Sequence, residues 1–293
     1  MTDQRTVRVA VIGDVHGAWD EEDVEYFDDS DYDVVLFVGD IGSYRHKQTL
    51  AVARRIARLR KRAILIPGNH DAVLAAQLVA EVVQSKLATS ALGFFGTRLQ
   101  GELARALGSV EIAGYSVHEL ASHELSVIAA RPHSMGGPGV AFGPLLKRRF
   151  GITDLDSSRR RLEELVEGCR YERVLFLAHN GPTGFGGAPT DIWGCDFKEG
   201  GGDFGDADLE HAIAHARRRG KRVLAVVAGH MHHRVKGGGT RTWQVTDAGT
   251  LYLNAARVPR VLRQSGKRVR HHVRLLVFGD DAQAEEVLVP ERE

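Results

Sequence analysis

The chain has 293 residues, 43% of them hydrophobic and 26% charged, with 39 Lys plus Arg against 38 Asp plus Glu for a net charge of +1. This composition is that of a globular protein; it excludes a disordered or collagen-like chain and gives no global charge excess to recruit a polyanion or an anionic membrane. The two cysteines, Cys169 and Cys195, stand outside any CxxC pattern, and no apolar run nears the roughly 18 residues of a membrane helix, so a soluble cytoplasmic protein with reduced thiols is expected.

Val7 to Ile12, Val34 to Val38 and Ala63 to Ile66 are continuous β-branched and leucine-rich runs, the pattern of strands buried on both faces. Between the last two, Leu50 to Arg60 carries Leu50, Ala53, Ile56 and Ala57 at helical spacing. The stretch around 82–151 is less regular and contains Gly93-Phe94-Phe95-Gly96 and Met135-Gly136-Gly137-Pro138-Gly139; Val110 to Val117 and Leu125 to Ala130 read as strands within it. Two more buried-strand runs follow, Val174 to Ala178 and Val223 to Ala228. Between them lies a helix from Asp206, its N-cap, to Arg219, with Gly220 as the stop. Thr242 to Thr246, Thr250 to Leu253 and Val273 to Phe278 close the series as strands. Strands alternating with helices imply βαβ units and a largely parallel sheet, with a second sheet packed on it. One α/β domain over 1–293 is expected.

Each buried-strand run ends in potential metal ligands, where open α/β sheets place their sites. The five clusters are Gly13-Asp14-Val15-His16, Gly39-Asp40, Gly68-Asn69-His70-Asp71, His179-Asn180, and Gly229-His230-Met231-His232. Singly, each reads as a cap or turn. Five in succession point to one centre, and the adjoining glycines let the loops approach it closely. Carboxylate, amide and imidazole donors without thiolate favour manganese, iron, cobalt or zinc over copper(I) or an iron–sulfur cluster.

In order, these clusters resemble the GDxH, GD, GNH[DE], H and GHxH signature of the calcineurin-like metallophosphoesterase superfamily. The resemblance spans Val9 to His232, and Thr250 to Asn254 is similar to the family's strand after GHxH. It implies a four-layer α/β/β/α fold, a β-sandwich flanked by helices. It also implies two divalent cations, Mn2+ foremost and Fe, Zn, Co or Mg as alternatives. Asp14, His16 and His232 would hold one cation, Asn69, His179 and His230 the other, and Asp40 would bridge them. A hydroxide bridging the pair would attack a phosphate monoester or diester in line. His70 would stabilise the transition state or protonate the leaving oxygen, with Asp71 orienting its imidazole.

Ser/Thr protein phosphatases of this superfamily carry GDxVDRG, whose Arg grips phosphate; here Tyr44 holds that place and Arg45 follows it. A small phosphorylated substrate is therefore expected, bordered by Arg45, Asn180, Arg131 and His133 on Gly-rich loops. Two competing readings remain. One is a nuclease using the basic segment from His211 to His272, which has fourteen Lys or Arg against Asp247 alone; the other is a metal-bearing interaction protein without turnover. No membrane partner is expected, and the oligomeric state is left open.

Overall fold

A computed structural model describes residues 6–42, 45–71 and 98–291. The first half of the chain runs β1 (Val7–Ile12), α1 (Glu21–Asp29), β2 (Val34–Phe37), α2 (His46–Ile56) and β3 (Ala63–Leu65). After a helix over 98–107 (α3) come β4 (Glu111–Ile112), β5 (Ser116–Leu120), β6 (Leu125–Ala129), α4 (Gly143–Phe150), α5 (Leu155–Gly168) and β7 (Arg173–Leu177). The remainder is α6 (Ala207–Arg218), β8 (Arg222–Ala228), β9 (Gln244–Asp247), β10 (Thr250–Asn254), β11 (Val261–Gln264), β12 (Lys267–Phe278) and β13 (Asp281–Pro290). The Gly93 to Gly96 stretch lies outside the described residues.

The strands form two sheets. The first has the order β11-β12-β1-β2-β3-β4 with β13 added on β12, and the second runs β5-β6-β7-β8-β10-β9. Side chains alternate across each strand. Val9 and Val11, with Leu36, Val38 and Ile64, meet Val127, Leu175, Leu177, Val227 and Leu253 of the second sheet in one buried layer. On the outer face of the first sheet, Ala10, Ile12, Val35 and Phe37 bury Phe27 of α1, Val52 and Ile56 of α2, and Leu103 and Leu107 of α3. The outer face of the second sheet, Ile128, Val174, Phe176 and Val226, covers Leu162 and Val166 of α5 and Leu209, Ala212 and Ile213 of α6. Because both faces of the central strands are covered, their sequences are apolar without a break, and the fold has four layers, α/β/β/α.

The structure departs from the sequence expectation in two places, a strand that divides and an earlier helix start. The sheets themselves are parallel at their centres, with antiparallel strands added. β1 to β4 run parallel, yet β12 lies antiparallel on β1, because β12 and β13 form a hairpin whose turn needs no helical crossover. The expected strand from Val110 to Val117 breaks at Gly114 (φ 151°) and Tyr115 (φ 48°), and its halves join different sheets, β4 beside β3 and β5 beside β6. α2 begins at His46, ahead of the expected Leu50, which seats buried Thr49 against Gly42.

Two helices carry no apolar period strong enough to announce them. α1 lies in the acidic run after Asp20, whose side chain accepts from the Glu22 and Asp23 amides in a capping box. α5 is nucleated the same way by Asp154 and Ser157.

Candidate metal centre

Strands β1, β2 and β3 of one sheet and β7 and β8 of the other all end at the same edge of the sandwich. The loops that follow carry Asp14 and His16, Asp40, Asn69 and His70, His179, and His230 and His232. His179 ties the two sheets together there. Its Nδ1 lies 2.7 Å from the Val38 carbonyl, and since a carbonyl only accepts, Nδ1 carries the proton and Nε2 turns toward Asn69 Oδ1 at 2.8 Å. His230 brings Nδ1 to 3.0 Å from the same amide oxygen.

The side chains converge in two groups. Ligand atoms of Asp14, His16 and His232 lie within 4.8 Å of one another, and so do those of Asp40, His179 and His230. His16 Nε2 is 3.3 Å from His232 Nε2, and Asp14 Oδ2 is 3.4 Å from His232 Nε2. Asp40 Oδ1 is 3.7 Å from His179 Nε2, while its Oδ2 faces His70 Nε2 at 4.0 Å. The groups abut: the amide of His230 donates to Asp14 Oδ1 at 3.2 Å, and that of His16 to the Asp40 carbonyl at 2.8 Å.

Bringing the loops this close requires unusual backbone. His16, Asp40 and His230 all have left-handed φ, at 44°, 49° and 68°. Non-glycine residues in this region carry strain, and such strain gathers at functional sites. Glycine is needed beside them as well. A Cβ at Gly68 would sit 2.2 Å from Asp40 Oδ1, and one at Gly229 would sit 2.4 Å from Asp14 Oδ1.

Charge in the cage is incompletely matched. Burial pushes the Asp14 carboxyl up, but the nearby His232 imidazole, with His179 and His16, outweighs it and holds Asp14 well below the usual carboxylate range. Asp40 is likewise lowered, burial being overcome by His179 and His70. Burial and the neighbouring His179 press His230 down to about 3. Asp14 Oδ2, buried and ionised, has no hydrogen-bond donor. An ionised oxygen left in that state is costly, and a cation placed among these oxygen and imidazole donors satisfies it. The residues present thus fit divalent metal ions.

His70 stands at the rim, its side chain 15% exposed and its ring centroid 5.3 Å from that of His16. Its backbone amide donates to Asp40 Oδ1 at 2.8 Å, so the ring's position is tied to the cage. Asp71, expected to orient the His70 ring, has its carboxylate engaged with backbone. Its two oxygens accept from the amides of Gly42 at 3.1 Å and Gly68 at 2.9 Å, bracing the loop that carries Asn69.

The residues expected to border the substrate are dispersed. Arg131 is enclosed, donating through Nη2 to Asp206 at 2.7 Å and through Nε to Asp208 at 2.9 Å, so its guanidinium is committed inside the protein. His133 is also buried. Its amide donates to the Pro67 carbonyl and its Nδ1 to that of Gly68, both at 2.7 Å, while Nε2 meets Gln100. His133 therefore grips the Asn69 loop from behind. Asn180 is buried and donates to the Phe204 carbonyl at 2.9 Å, and Arg45 is exposed at the residue preceding α2. Sequence reasoning overlooked Arg241, which donates to the His232 carbonyl at 3.1 Å. It gave no role to Asn254, whose Nδ2 donates to the Met231 carbonyl at 2.6 Å. Asn254 ends a buried strand, as the cage residues do, and that position was its available signal.

The sequence pattern of the calcineurin-like phosphoesterase family matches residues 7–234. No curated protein matches the chain. Among solved structures, a Thermus thermophilus protein is 11% identical with a TM-score of 0.55, the match covering 96% of this chain and 99% of that one. A dimetal phosphatase from Danio rerio is 13% identical with a TM-score of 0.51, covering 97% and 98%. Both share the fold.

Proposed function

This chain belongs to the calcineurin-like phosphoesterase family, a family of metal-dependent hydrolases, and from that premise we propose that it hydrolyses a small phosphate monoester or diester at a two-cation centre. The observation that carries the reading is the convergence of seven donor side chains in two abutting groups, one of which holds a buried carboxylate oxygen that no hydrogen bond satisfies. Asp14, His16 and His232 would hold one cation, Asn69, His179 and His230 the other, and Asp40, grouped with His179 and His230, would serve both. The donor set suits manganese, iron, cobalt or zinc, and the family resemblance puts Mn2+ foremost. Such a pair, when bound, lowers the pKa of water and offsets the charge of the reacting phosphoryl oxygens.

The chain's own residues do the remainder. Val38 O fixes the His179 tautomer, Asp71 and His133 brace the loop bearing Asn69 and His70, and the closed sandwich behind the cage excludes water. His70 Nε2, on the open side, delivers a proton to the departing ester oxygen. The charge distribution supports a small substrate over a nucleic acid. Arg241, Arg260 and Arg270 of the basic segment are buried, facing Asp196, Asp23 and Glu22 respectively, and Arg219, Arg222, Arg257 and Arg268 pair with Glu167, Asp280, Glu286 and Glu291, so much of that segment's charge is answered within the chain. No described helix is long and apolar enough to cross a membrane, and two free, buried thiols suit the expected cytoplasmic setting.

The test is metal analysis of the purified protein followed by assays of an aryl monoester and an aryl diester with Mn2+. About two cations per chain and hydrolysis abolished by a chelator are expected, and the ratio of the two rates assigns mono- or diesterase. A protein that binds cations but cleaves neither ester is an interaction protein, and the proposal fails.

A further inference from the structure

The segment between β7 and α6 is clamped to the loops of both histidine motifs. On one side the Asp206 amide donates to the Gly181 carbonyl at 2.7 Å, Asn180 holds the Phe204 carbonyl, and Gly181 lies so close to Trp193 that a Cβ would enter the indole ring. On the other side Arg241 joins four groups. It donates to the carbonyls of His232, Asp191 and Gly194 at 3.1, 2.8 and 2.6 Å, and its Nη2 lies 3.5 Å from Asp196 Oδ1. The result is a fixed wall beside the cage, one guanidinium away from a cage histidine.

On this wall stands Phe197, 47% exposed, the one large hydrophobic side chain left exposed among the described residues. Its ring meets Phe204 edge to face at 5.0 Å, and Lys236 Nζ is 5.9 Å from its centroid. Lys236 is held in turn by its amide, which donates to Asp196 Oδ2 at 2.8 Å. An isolated exposed apolar side chain is ordinary. Here the ring stands beside a lysine and one residue from Asp196, which Arg241 ties to the His232 carbonyl. A phosphoester has two ends; the cage takes the phosphoryl group, so the neighbouring wall takes the rest.

We propose that Phe197, with Lys236, forms the subsite for the organic portion of the substrate, which carries a planar aromatic ring stacked on Phe197. This rests on the phosphoesterase reading above. Stacking of a flat π system on an aromatic side chain is indifferent to ring identity and supports about a tenfold preference, while the ammonium group adds attraction for an electron-rich ring.

Benzylphosphonate and methylphosphonate cannot be hydrolysed and differ only in the ring, so calorimetric titration of each into the Mn2+-loaded protein isolates the subsite. Wild type is expected to bind benzylphosphonate about tenfold more tightly than methylphosphonate, Phe197→Ala to lose that preference, and Phe197→Tyr to keep it. Equal affinities in the wild type, or a preference that survives Phe197→Ala, would overturn the subsite while leaving the phosphoesterase reading intact. Binding of neither phosphonate would remove both.

Discussion

Two buried polar clusters invite comparison, the cage at the strand ends and the group around Arg131. Both are charged, but the cage opens to solvent at His232, and they differ in how their valences are met. Around Arg131, two carboxylates share one guanidinium, Ser134 donates to Asp206 at 2.7 Å, Ser158 donates to Asp208, and Tyr115 bonds Ser158 at 2.6 Å. Every one of these side-chain atoms has a partner. In the cage, an ionised oxygen of Asp14 has none, imidazoles face one another, and three residues hold left-handed backbone. A complete network rigidifies a fold, whereas an unsatisfied carboxylate oxygen among converging imidazoles suits a cation. Burial alone does not separate the two roles; an unmet charge among metal-ligating side chains does.

The sharpest way to break this contrast is Arg131→Met. It leaves Asp206 and Asp208 buried without a countercharge, and a loss of about 3–5 kcal/mol in denaturant unfolding is expected, with or without metal. A loss below about 1 kcal/mol would mean that the cluster is not structural. Next comes His70→Ala. The ring touches the cage without holding it, so turnover should fall roughly a hundredfold or more while metal content and unfolding midpoint stay near wild type. Metal loss matching the activity loss would move His70 into the ligand set.

The smallest effect concerns pH. Burial, only partly offset by Arg131, and the adjacent charge of Asp208 push Asp206 up to about 6 from the ordinary 3.8. The folded chain therefore holds a proton that the unfolded chain has released between those values, and stability falls as pH rises from about 4 to about 6. Asp206→Asn should flatten that part of the stability profile by about a kcal/mol or two, read as the difference between variant and wild-type metal-free profiles, in which the titration of the cage residues cancels. An unchanged slope would place the titration elsewhere.

The difference between the clusters also explains what the sequence disclosed. Cage residues were legible because their chemistry is local: each follows its own buried strand, and glycine beside Asp14, Asp40, Asn69 and His230 marks the tight approach. Arg131 was not legible as a structural residue, since its partners lie 75 and 77 positions away and nothing near it in sequence distinguishes an enclosed guanidinium from a solvent-facing one. Asp71 stands beside a candidate acid in the sequence, yet its oxygens turn to two backbone amides, a choice fixed by loop curvature. The break at Gly114 was readable as a turn signal, but which sheet each half would join depends on pairing with β3 and β6.

The sheet bearing Asp14 is closed late. β1 is hydrogen-bonded on one side to β2 and on the other to β12, across pairs from Val7 and Val277 to Val11 and Val273. β12 lies beyond the residues that match the family pattern. During translation, then, every ligand has left the ribosome before the strand that buttresses the first of them. Until β12 docks, β1 is an unprotected edge open to mispairing, so protection of the Asp14 strand from aggregation waits on the β12–β13 hairpin.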